Sequence, residues 1–72
     1  MTAKQQQEVS QLTVAGDTHA KMALMQEEHG NTKLAEDSRR LSANRYLAAR
    51  YLKDFPEVGI VAAIDYADTQ EV

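Results

Sequence analysis

Apolar side chains recur along this chain with helical spacing, most clearly in its middle. Leu34, Leu41, Ala48 and Phe55 repeat every seven residues, with Tyr51 and Leu52 beside them. That stripe predicts one long amphipathic helix over about residues 32–54. Pro56 ends it, because proline disfavours helical backbone in the residue before it. Upstream, Thr2 followed by Gln5 has the form of a capping box, and the Ala-Lys-Gln-Gln-Gln-Glu run after it is good helix material. A first helix is expected over about residues 3–14, with Val9 and Leu12 as its apolar edge. Gly16 and Asp17 read as a stop and a new N-cap, and a second helix over about 18–28 then carries Ala20, Met22, Ala23, Leu24 and Met25. A single glycine costs a helix only ~1 kcal/mol, so one helix running through both segments is the alternative. His29-Gly30-Asn31-Thr32 is the sharpest punctuation: Gly30 suits a left-handed C-cap, and Asn31 or Thr32 can cap the next helix.

Residues 58–67 read two ways. Val58, Val61, Ala62 and Ile64 suit a short helix opened by Pro56, whereas Ile60, Ala62, Ile64 and Tyr66 alternate like a strand. No second strand is available to pair with it, so helix is the expectation. The fold class is therefore all-α: a small hairpin or bundle of three to four helices, one domain over residues 1–72. Leu12, Leu24, Leu34, Leu41, Leu52, Phe55, Val61 and Ile64 are its expected core or seam.

Composition thins that core. Eleven of the 72 residues are alanine, and Leu, Ile, Val and Phe together number fourteen. A domain this short buries only about 60% of its unfolded surface and usually needs a staple. The chain has no cysteine, which excludes disulfides and thiolate zinc sites. Self-association or a partner is the remaining source of burial. The N-terminal residues have no apolar core of a secretory signal and no run approaches a membrane span, so a cytoplasmic location is expected, in the host or virion for a phage-type protein.

Charge adds a polarity that the net value of −3 hides. Residues 33–53 hold six bases against Glu36 and Asp37, a balance of +4, and residues 54–72 hold five acids and no base. On a helical wheel Arg39, Tyr46, Arg50 and Lys53 share one stripe, a basic face with an aromatic in it. Guanidinium groups suit carboxylates or phosphates, and tyrosine adds low-entropy contact area. This stripe is the candidate partner-binding site; the plainer reading is a solvated helix face. Arg45 projects into the apolar stripe and would need an acid, Asp37 or one from the C-terminal segment. Asn44 lies near the same seam, where a polar residue can fix helix register. Both are read as structural or interface pairing.

The other chemistry is sparse. His19 and His29 have no partner at metal-ligand spacing, and His29 beside Gly30 is read as a favourable charge at a helix C-terminus. Ser10, Ser38 and Ser42 stand in no nucleophile context. Met22 and Met25 are read as core filler, with an adaptable binding groove as the alternative. Asp37-Ser38, with Ala62-Ala63-Ile64-Asp65-Tyr66 near the end, resembles the acyl carrier protein pattern over about ten residues, which would make Ser38 a carrier serine. Arg39-Arg40 reverses the charge that family has there. No catalytic residue, cofactor or metal is expected. The expected function is a non-enzymatic protein-interaction module: an inhibitor, an assembly factor or a minor structural subunit. Its partner would be an acidic protein surface, copies of itself, or both. Nucleic-acid binding through the basic helix 33–53 is the alternative, which a pI of 5.2 disfavours.

Overall fold

The computed structural model describes residues 1–70. Three α-helices, α1 (Ala3–Glu28), α2 (Thr32–Asp54) and α3 (Ile60–Gln70), succeed one another, with a 3-10 turn at Pro56–Val58 before the last. No strand occurs among the described residues, so residues 58–67 do not pair in a sheet.

The ends of α1 are built as the sequence suggests. The Gln5 amide donates to Thr2 Oγ1 (3.1 Å) and the Thr2 amide donates to Gln5 Oε1 (2.8 Å), a complete capping box. At the other end Gly30 adopts φ 77°. Its amide donates to the Glu27 carbonyl (3.0 Å) and that of Asn31 to the Gln26 carbonyl (2.8 Å). These two bonds form a Schellman motif. Asn31 starts α2 without a side-chain capping bond.

The expected break at Gly16 and Asp17 does not occur. Helix α1 runs through both for 26 residues, because Gly16 serves the packing of α1 on α2. A Cβ there would stand 2.7 Å from Cε1 of Tyr46, and the Gly16 carbonyl accepts a hydrogen bond from Ser42 Oγ (2.8 Å). Glycine is kept for close helix approach, and Asp17 caps nothing.

Helices α1 and α2 form an antiparallel hairpin with a seam of small residues. Val9, Leu12, Gly16, His19, Ala23 and Gln26 are buried or half-buried on α1, and Ala35, Ser38, Ser42, Arg45, Ala49 and Leu52 on α2. Both sets alternate spacings of three and four, as in a coiled coil. The α2 seam is one position out of phase with the expected stripe. Leu34, Leu41 and Phe55 are exposed, as are Leu24, Val61, Met22 and Met25, which were expected inside. Ile64 is half-buried, and of the expected core only Leu12 and Leu52 are buried. The reason is steric: closely approaching backbones admit alanine, serine and glycine and displace leucine to the flanks.

The stripe containing Ala48 faces α3 instead. Ala48, Ala49, Leu52, Ala63 and Ala67 join Leu12 in one core cluster, flanked by Val9, Leu47, Tyr51, Ile60 and Ile64. Tyr51 and Tyr66 stack with ring centroids 4.0 Å apart. Gly59, at φ 85°, turns the chain so that α3 returns along α2. Leu52 is the one large side chain that is fully buried among the described residues.

Candidate interaction surface

On one side of the hairpin α3 lies against α2; on the other a groove stays open. Helix α1 supplies Ala20, Ala23 and Leu24, and α2 supplies Arg39, Ser42, Ala43 and Tyr46, around a volume of about 390 Å³. A second hollow of about 340 Å³ continues it past Tyr46, lined by Ala43, Tyr46, Leu47 and Arg50. The floor is apolar because the seam uses alanine and the flank uses leucine. Arg39 and Arg50, eleven residues apart and so about 16 Å along the axis, mark its two ends.

The structure splits the stripe of Arg39, Tyr46, Arg50 and Lys53. Arg39 pairs with Glu27 of α1, and the Tyr46 hydroxyl donates to the Asp17 carboxylate. That hydrogen bond first, then burial and the Asp17 charge, hold the Tyr46 phenol above the ordinary tyrosine range, against a smaller opposing effect from Ser42. Tyr46 thus forms a fixed wall of the groove, anchored at its tip. Arg50 and Lys53 are exposed and make no ion pair among the described residues. Arg50 lines the groove and Lys53 does not.

Arg45 and Asn44 are brought together, though not as expected. Arg45 is half-buried in the α1 seam and donates to Oδ1 of Asn44. Asn44 is buried and its Nδ2 donates to Asp68 Oδ1 of α3 (2.6 Å). The amide relays the C-terminal acid to the arginine, so Asn44 fixes α3 rather than the hairpin seam. Asp37 instead contacts Lys33 (3.5 Å) and Arg40 (3.8 Å) on its own helix.

Ser38 is 5% exposed and donates to Gln26 Oε1 (2.7 Å). A hydroxyl enclosed between two helices cannot carry a prosthetic arm to a partner, and the acyl carrier likeness ends there. His29 is the exposed C-cap residue of α1, and His19 is half-buried with Nδ1 unpartnered among the described residues. Among the described residues no three His, Cys, Asp or Glu side chains are grouped to hold a metal, and no helix is long and apolar enough to cross a membrane.

Ala20, Ala23, Leu24, Ala43 and Leu47 were not singled out as site residues from sequence. Their signal was small residues at three- and four-residue spacing, visible at Gly16, Ala20 and Ala23. No protein family, curated protein or solved structure matches this chain.

Proposed function

We propose that this chain is a non-enzymatic docking module that holds a helix of a partner protein in the groove along α2. The observation that carries the reading is the groove itself: an apolar floor of Ala20, Ala23, Ala43 and Leu47, a fixed tyrosine wall, and at one end Arg50, which has no acid partner among the described residues. That chemistry suits an amphipathic helix whose apolar side is flanked by Asp or Glu. The thin core supports it as well. The accessible surface of 4899 Å² exceeds the roughly 4,450 Å² expected of a compact 8.0 kDa monomer. Phosphate binding is the weaker reading, because Arg39, Arg40 and Lys33 already face acids of their own fold. Few uncompensated bases remain for counterion release.

A photo-reactive residue at Ala43 tests this, with one at Thr13, exposed on α1 outside the groove lining, as control. Crosslinks from position 43 to peptides with Asp or Glu beside apolar residues, unaffected by nuclease, are the expected result. Capture that vanishes on nuclease treatment, or is equal from position 13, would overturn the reading.

A further inference from the structure

We infer that the groove's occupant is α3 of a second copy of this chain, so that the protein assembles head to tail. This rests on the reading of the groove as a docking surface and names what fills it.

The charge polarity of the sequence stays largely unspent inside the fold. All ion pairs among the described residues involve α1 and the first half of α2: Lys33–Asp37, Arg40–Asp37 and Arg39–Glu27. Among those same residues Arg50 and Lys53 have no acid partner, and Asp54, Glu57 and Asp65 have no basic one. Both halves of a complementary pair are therefore presented to solvent by every molecule.

The apolar surfaces match in the same places. Helix α3 turns Ile60, Ala63, Ile64 and Ala67 inward. Its outer side carries Val61, 70% exposed, with Ala62 and Asp65 exposed beside it and Val58 exposed just before the helix. Val61 and Asp65 are one turn apart and share a stripe. This is a short ridge of valine and alanine with a carboxylate. The groove offers the reverse: Ala43 and Leu47 as floor, with Arg50 one turn beyond Leu47.

Ridge and groove lie on different sides of the molecule. Ala43 lines the groove, Ala48 packs toward α3, and five residues separate them by about 140° around α2. A contact between two unlike patches is heterologous; it closes into a ring or continues as a filament, and does not stop at a two-fold dimer.

Two charge reversals at exposed positions test this: Arg50→Glu spoils the groove and Asp65→Arg spoils the ridge. Helix content by circular dichroism checks that each variant folds, and sedimentation velocity over a concentration series reads assembly. Wild type is expected to grow beyond a dimer with concentration, and growth weakens as salt is raised. Each variant alone should need about tenfold more protein to associate, since like charges now face each other. An equal mixture pairs Asp65 with Arg50 at one contact and the new arginine with the new glutamate at the next, and should grow as an alternating assembly much as wild type does. The double variant should assemble again.

Wild type that stays monomeric throughout would overturn the inference, as would a dimer indifferent to both reversals. The latter would point to a symmetric contact through exposed Leu34 and Leu41. A monomeric wild type that still crosslinks a foreign acidic helix from position 43 would leave the docking function standing while removing the self-assembly.

Discussion

Gly16 and Tyr46 are the pair on which the hairpin crossing depends. Gly16→Ala would ordinarily favour a helix by ~1 kcal/mol. Here the new Cβ would stand 2.7 Å from the Tyr46 ring, and overpacking costs about 1–3 kcal/mol. Urea unfolding should show Gly16→Ala to be net destabilising by about 1 kcal/mol, and stabilising when introduced into a Tyr46→Ala background. Equal effects in both backgrounds would contradict the packing role. Tyr46 also carries a pH signature. Its phenol is held above the ordinary tyrosine range by the Asp17 hydrogen bond. The stabilisation is complete below the unfolded-state value and is lost as pH rises through the raised one. An ultraviolet titration of Tyr46→Phe should lack the wild-type component that titrates above the ordinary tyrosine range, and the wild-type advantage in stability should shrink at the alkaline end.

Among the helices, α3 is attached by the fewest devices: small-residue packing, the Tyr51–Tyr66 stack and the Asp68–Asn44–Arg45 relay. Asn44→Ala leaves a carboxylate and a half-buried guanidinium without their shared partner, which costs about 1–3 kcal/mol. Hydrogen exchange should show faster exchange over residues 60–70 with α1 and α2 little changed; uniform loss would contradict the relay. The share of this that was legible in the sequence depends on the kind of chemistry each element uses. The Thr2–Gln5 box, the Gly30 C-cap and the Pro56 stop are local chemistry, and each stands where its residues predict. The period of α2 was legible too, but not its phase. Hydrophobicity marks Leu34 and Leu41, whereas the α1 seam takes Ala35, Ser38 and Ser42 because the backbones are close. The same closeness hid the continuity of α1 at Gly16, since one glycine can mark either an end or a crossing. For the groove, sequence reasoning placed Arg39, Tyr46 and Arg50 on one face but could not see Glu27 and Asp17 arrive from α1 to occupy two of them.

The whole molecule is a hairpin with one short helix on one side and an apolar groove on the other. Its core is largely alanine around Leu52. Total stability for 72 residues is of order 4–11 kcal/mol, and Leu→Ala in a core costs about 2–5 kcal/mol. Leu52→Ala should therefore take away a large share of stability and leave a broad, low-temperature transition by calorimetry. A loss below about 1 kcal/mol would contradict its central place. Such a margin makes burial of the groove consequential for the fold as well as for function. The most direct test of docking between copies of this chain through α2 is amide nuclear magnetic resonance of wild type across a dilution series. Shifts concentrated at Ala43, Tyr46, Leu47 and Arg50, moving together with those at Val61 and Asp65, are expected. Shifts confined to Leu34 and Leu41, or none at any concentration, would contradict it.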